Sequence, residues 1–285
     1  MKLLELIRYI FYGIIQGVLE VLPVSSSGHV AFIQYLTSEE FNNGLFFLIL
    51  VNLGSLLAII LYMRKTIVEL TSNSYKYLIK NDHKPEYLKS LKYVKNIIIA
   101  IIPIGILGVV FSVYNILYDE YILIIIGIGA LITSTILYLA RKRTDLFTST
   151  KLTYKKSIYI GIAQMLAVIP GVSRLAVTTA AGTRKELSHE TALKFSIMIS
   201  IPISIGALLI SVFLGIFDDR TLIDFDPANT YIYIYYFTAM IVSFIGTYYA
   251  LKFIFIITRK GNLRLFYIYN LLFGLTALFI GLYNY

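Results

Sequence analysis

The stretch Gly13-Ile14-Ile15-Gln16-Gly17-Val18-Leu19-Glu20-Val21-Leu22-Pro23-Val24-Ser25-Ser26-Ser27-Gly28-His29 decides how this chain is read. From Gly13 to Leu22 it reads as apolar helix, with Gln16 and Glu20 four residues apart and so on one face. Pro23 stops the helix, because it has no N–H to donate and its ring clashes with the preceding turn. Three hydroxyls, a glycine and an imidazole follow before apolar chain resumes at Val30. Such groups are costly to bury unsatisfied, and inside a membrane segment they mark function.

Composition sets the class. The 285 residues are 58% hydrophobic and 14% charged, far more apolar than a soluble domain. Apolar segments at about 3–22, 44–63, 97–113, 121–140, 157–181, 192–217, 231–257 and 265–283 approach the roughly 20 residues that cross a bilayer. The expectation is an all-α integral membrane protein forming one polytopic domain over 1–285. The N-terminal segment has no small-residue cleavage site and is not read as a signal peptide. The net charge of +9 lies in loops between spans, which fits membrane orientation and anionic lipid rather than nucleic acid. Absence of cysteine excludes disulfides and thiolate metal sites.

Basic residues dominate 64–95, 141–156 and 259–264, whereas the other loops hold Glu39 and Glu40, Asp119 and Glu120, and Asp218, Asp219, Asp224 and Asp226. The positive-inside rule puts the first set in the cytoplasm. Segment 157–181 must then leave by the face it enters, because span 192–217 also starts inside to reach the acidic loop. Its break at Pro170-Gly171-Val172-Ser173-Arg174 makes it a re-entrant helix-loop-helix, tolerated where protein or a wet cavity satisfies the backbone. Gly161-Ile162-Ala163-Gln164, followed by Pro170 and Ser173, repeats the pattern of Gly13-Ile14-Ile15-Gln16, Pro23 and Ser25. The chain therefore divides into two repeats, about 1–150 and 151–285, each a re-entrant hairpin and three spans. An odd number of crossings separates them, so they are inverted. The expected architecture is about six spans and two re-entrant hairpins, the first at about 3–36. Both termini lie outside, and the broken loops meet near the midplane.

Glu20 then sits in the membrane as a base, a metal ligand or an orienter of the histidine. Ser25, Ser26 and Ser27 suit both helix capping and anion binding at a helix start. His29 lies three residues after Ser26, so in a helical turn its imidazole faces that hydroxyl, the spacing of a serine activated by histidine. Arg174 at midplane depth needs a cavity or a partner, and its planar fork matches phosphate oxygens. Pairing with Glu20 is the bland alternative. Gly171 and Gly182 allow close backbone approach and Thr178 and Thr179 can add donors, while Gln16, Ser25, Ser27, Gly28, Gly171, Ser173 and Thr178 complete the substrate-binding set around Arg174. Together these parts suit hydrolysis of a phosphate ester or anhydride, with Arg174 and helix N–H groups on the anion, Ser26 attacking and His29 relaying the proton.

Glu20 to His29, Glu-x-x-Pro-x-Ser-Ser-Ser-Gly-His, resembles the first signature of the undecaprenyl-diphosphate phosphatase family of the bacitracin-resistance type; Pro170 to Arg174 resembles the second. Asn52–Ala58 and Phe195–Pro202 are similar to two further family stretches. The resemblance covers nearly the whole chain. It implies a cell-membrane enzyme that removes the terminal phosphate of an undecaprenyl- or dolichyl-type diphosphate, recycling the lipid carrier for cell-envelope glycan synthesis, with the site opening to the external face. It also implies inverted repeats with two re-entrant hairpins, frequent homodimers and help from a divalent cation, Mg²⁺ or Ca²⁺, with Glu20 as a ligand. By position the family's functional residues fall on Glu20, Ser26, His29 and Arg174. Gln16 stands where many members have glutamate, which weakens a two-carboxylate metal site. Leu175-Ala176 replaces the usual Ser-Gly, Lys194 a glutamate and Asn52 a glutamine. The competing expectation is an inverted-repeat transporter or flippase, or a binder of polyprenyl phosphate lipids that does not hydrolyse them.

Overall fold

The computed structural model describes residues 2–37, 45–114, 121–141, 149–217, 231–259 and 263–283. Ten α-helices follow in order among them: α1 (Lys2–Glu20), α2 (Ser26–Thr37), α3 (Leu45–Leu78), α4 (Pro85–Tyr114), α5 (Ile122–Arg141), α6 (Tyr154–Gln164), α7 (Arg174–Arg184), α8 (His189–Phe217), α9 (Tyr231–Arg259) and α10 (Arg264–Tyr283). One 3-10 turn, Met165–Val168, follows α6. Six of the helices (α3, α4, α5, α8, α9 and α10) are long and apolar enough to cross a membrane. The all-helical, multi-pass class read from composition holds.

Close helix approach builds the packing. α1 lies along α9 with Gly13 against Ala239 and Gly17 against Ser243; a Cβ on Gly17 would stand 2.3 Å from the Ser243 carbonyl. α6 lies along α4 in the same sense, with Ser157 donating to Asn96 (2.7 Å) and Gly161 against Ala100. Small residues let apolar helices interlock where water supplies no hydrophobic drive. The hydroxyls at these contacts are satisfied: Ser243 donates to the Val51 carbonyl (2.9 Å) and Thr247 to the Gly17 carbonyl (2.8 Å). α5 packs on α10, and α3 on α4, α8 and α9. The main buried cluster, with Ile59, Leu137, Ile197 and Leu251, lies among these helices.

Two boundaries differ from the sequence reading. α1 ends at Glu20, before Leu22, since a residue preceding proline is pushed out of the α region. The segment 64–95 is not a loop. α3 runs on to Leu78 and α4 begins at Pro85, because Arg64–Leu78 contains neither glycine nor proline and Pro85 sits at a helix start, where its missing N–H costs nothing. At 1.5 Å per residue α3's 34 residues span about 51 Å, beyond the ~30 Å hydrocarbon layer. Polar charge ends a membrane span without ending a helix. The acidic residues at 39–40, 119–120 and 218–226, with Lys142, Arg143 and Lys260, lie outside the described residues.

Candidate active site

The turn after α1 and the turn before α7 bring the polar residues together. Each following helix is capped by the serine just before it. The Gly28 N–H donates to Ser25 Oγ (3.2 Å) at the start of α2, and the Ala176 N–H to Ser173 Oγ (3.3 Å) at the start of α7. The two turns touch, since a Cβ on Gly28 would lie 3.1 Å from Gly171 Cα. Gly171 has φ +88° and its missing Cβ would meet the Ile126 carbonyl at 2.2 Å, so only glycine fits this turn. Thr133 of α5 holds the turn in place: its Oγ1 accepts from the Ser173 N–H (3.0 Å), while its one proton is shared between the Gly129 carbonyl of its own helix (3.0 Å) and the Gly171 carbonyl (3.3 Å).

Glu20 is the hub. Its Oε2 accepts from Ser26 Oγ (2.8 Å) and from Gln16 Nε2 (3.0 Å), and its Oε1 from Arg174 Nη2 (2.9 Å). Gln16 Nε2 also donates to Asn52 Oδ1 (2.9 Å). The side chains of Arg174 and Glu20 keep 26% and 14% exposure, so the ion pair stays open to a cavity rather than sealed in protein. That cavity, about 480 Å³, is lined by Gln16, Glu20, Ser25, Ser26, Ser27 and Arg174, with Ser173 and apolar residues of α2, α4 and α8. A second of about 290 Å³, between α3 and α8, shares Glu20, Leu48, Asn52 and Arg174 with it.

Three expected contributions are different. His29 does not serve Ser26. Its Nδ1–H donates to the Ser25 carbonyl (2.6 Å), and its Nε2 accepts from the Tyr269 hydroxyl (2.7 Å). The ring also stacks on Phe273 at 3.8 Å, so α10 captures the imidazole on the side away from the cavity. Helical spacing put residues 26 and 29 on neighbouring positions, but α10 and the helix's own carbonyl outbid the hydroxyl. Thr178 is buried and donates to the Arg174 carbonyl (2.9 Å), so it faces the helix rather than a ligand. The Gly28 N–H is spent on the Ser25 cap and the Gly171 carbonyl lies against the Thr133 hydroxyl; neither glycine is among the residues that line the cavity, so both shape the turns. Gln16, Ser25, Ser26, Ser27, Ser173, Glu20 and Arg174 all face it.

The group around Glu20 does not fit a divalent cation. A hard cation needs several oxygen acceptors, whereas both Glu20 oxygens receive N–H or O–H donors, one a guanidinium. Gln16 turns its amide nitrogen, not its oxygen, toward Glu20. Among the described residues no three His, Asp or Glu gather as a ligand set.

Sequence reasoning did not place Tyr269, Phe273, Thr133 or Asn52 in the site. Tyr269 is one of 24 tyrosines and no spacing singles it out; Asn52 was visible as a departure, without its partner.

The chain matches the family model described as bacitracin resistance protein BacA over residues 9–276. It is 35% identical over 280 residues to undecaprenyl-diphosphatase 2 of Bacillus thuringiensis (strain Al Hakam), covering 96% of this chain and 98% of the relative. It is 34% identical over 274 residues to undecaprenyl-diphosphatase of Oceanobacillus iheyensis, covering 96% of each. With undecaprenyl-diphosphatase of Acholeplasma laidlawii it shares 32% over 285 residues, 97% of each.

Proposed function

The chain belongs to the family of bacitracin resistance protein BacA, and from that premise we propose that it is an integral membrane phosphatase that hydrolyses undecaprenyl diphosphate to the monophosphate and inorganic phosphate. The observation that carries the reading is the chain of contacts Ser26–Glu20–Arg174 on the wall of the large cavity. The transport-only alternative is not favoured, since the relatives that match over nearly the whole chain bear the name diphosphatase.

The residues take the following roles. Arg174 holds Glu20 through one Nη2 contact, which leaves the rest of its fork for the terminal phosphate. The N-terminal turns of α2 and α7 line the same cavity and add positive dipole ends. Ser26 Oγ forms a bond to the terminal phosphorus, its proton passing to Glu20 Oε2, 2.8 Å away. The bridging P–O bond breaks, and its electron pair leaves on the polyprenyl monophosphate. Water then attacks the phosphoserine, and Glu20 returns its proton to the Ser26 oxygen. The attacking water keeps one proton on the released phosphate and gives the other to bulk water. His29 positions Ser25, and hence the serine turn, from behind. No step runs through a cation.

Paired packing supports the two inverted repeats with re-entrant hairpins. Each half's first short helix lies alongside the second long helix of the other half, α1 on α9 and α6 on α4, in the same direction. Each half's hairpin also carries the same serine cap. In that arrangement α1 enters from the external side as α9 does, and the basic α3–α4 extension lies in the cytoplasm of a plasma-membrane protein. The cavity then opens outward, where the diphosphate is presented.

The test is phosphate release from undecaprenyl diphosphate by purified protein in detergent. Turnover by the native chain, cut 10²–10³-fold in Arg174→Ala, is expected, in line with loss of a preorganised donor to developing charge. No release by the folded native protein would sink the phosphatase reading; full release by Arg174→Ala would sink the anion clamp alone.

A further inference from the structure

On the other side of the α6–α7 hairpin lies a second feature that the reaction does not use. A cavity of about 190 Å³ opens between α5, α6 and α7. Its lining is largely apolar, with Ile136, Ala163, Val177 and Ala180, and the lining residues Leu139 and Leu166 are 55% and 44% exposed. One end is cationic. Arg184, the last residue of α7, lines it, is exposed, and has no ion-pair or hydrogen-bond partner among the described residues. Lys185 stands beside it, over the ring of the lining residue Tyr159 at 4.3 Å. The Ser188 N–H donates to the Ser149 carbonyl (3.0 Å), which ties the basic 149–156 segment to the same end of the bundle.

We propose that this groove is a binding site for an anionic glycerophospholipid of the cytoplasmic leaflet, one acyl chain in the apolar slot and the headgroup phosphate at Arg184 and Lys185. Charge complementarity selects the occupant. A zwitterionic lipid fills the slot equally well but gains less from two adjacent cations, and the cytoplasmic leaflet is the anionic one. The site is separate from the cavity that holds Arg174. The two arginines sit at opposite ends of α7's 11 residues, about 15 Å apart at 1.5 Å per residue. The lipid thus braces the helix that carries the anion clamp without touching the clamp. The placement in the cytoplasmic leaflet rests on the orientation above; the binding itself does not.

The experiment is native mass spectrometry of the full chain, purified in detergent and offered equal phosphatidylglycerol and phosphatidylcholine. One phosphatidylglycerol retained in preference is expected. Arg184→Gln should lower that retention about five-fold, the loss of one basic contact near a headgroup. Ala180→Phe, which fills the slot and leaves the charge, should abolish it. The thermal unfolding midpoint in detergent alone should be unchanged in Arg184→Gln, which confirms that variant's fold. Equal retention of both lipids, or retention indifferent to Arg184→Gln, would overturn the site. Displacement of phosphatidylglycerol by an equimolar polyprenyl monophosphate would overturn the choice of phospholipid. None of these readings needs turnover, so the site and the phosphatase reading fail separately.

Discussion

Gly129→Ala tests whether the turn before α7 sets the rate. Gly129 sits inside α5, and a Cβ there would stand 2.2 Å from the Pro170 carbonyl oxygen and 2.9 Å from the Val172 nitrogen. Both are backbone atoms, so no side chain can swing aside. For the carbonyl to reach the 3.4 Å at which ordinary contact begins, the turn must retreat by about 1.2 Å. Arg174 follows four residues after Pro170, and Thr133, which holds the turn through the Ser173 N–H, lies one helical turn from Gly129. A misplacement of about 1 Å costs on the order of 10² in rate, so kcat should fall about 100-fold. Stability should change far less. Overpacking costs roughly 1–3 kcal/mol, but alanine gains about 1 kcal/mol over glycine inside a helix. The assay is phosphate release in detergent beside a thermal unfolding scan. Gly105→Ala is the control, because a Cβ at Gly105 meets nothing within 4 Å. A folded Gly129→Ala protein that turns over within a few-fold of the native rate would refute the idea that this contact positions Arg174.

Two further substitutions divide the roles at the hub. Ser26→Ala removes the proposed nucleophile while leaving the Glu20–Arg174 pair; turnover should drop at least 10³-fold with diphosphate binding by calorimetry retained, and persistent turnover would assign the attack to water. Tyr269→Phe removes one neutral hydrogen bond to His29 and keeps the ring stack. A bond of about 1 kcal/mol predicts a fall in kcat of about five-fold with KM unchanged, and a loss as deep as that of Ser26→Ala would return His29 to the proton path.

How much of this was legible in the sequence depended on what sets each feature. The turn at Pro23 and the break at Pro170–Ser173 are local chemistry, a missing donor and a restricted residue before proline, and both lie where the sequence puts them. The gathering of Glu20, Ser26 and Arg174 was legible for a different reason. A carboxylate and a guanidinium in apolar segments each cost several kcal/mol alone, so each implies the other across 154 residues. That same necessity explains why the ion pair, considered as the bland alternative to phosphate binding, coexists with a binding cavity. A guanidinium has five donors, and Glu20 takes one. What failed is side-chain direction. Spacing places His29 near Ser26, but a helical residue has several neighbours, and the choice among them was made by Tyr269, 240 residues away, and by Phe273 one turn further along α10. Nothing local could announce that partner, because an aromatic in an aromatic-rich span carries no cost that demands an answer. Charged groups buried in lipid advertise their partners, while apolar and aromatic ones conceal theirs. The length of α3 failed likewise, because hydropathy reports where the bilayer ends, whereas a helix ends only where a breaker or a cap ends it.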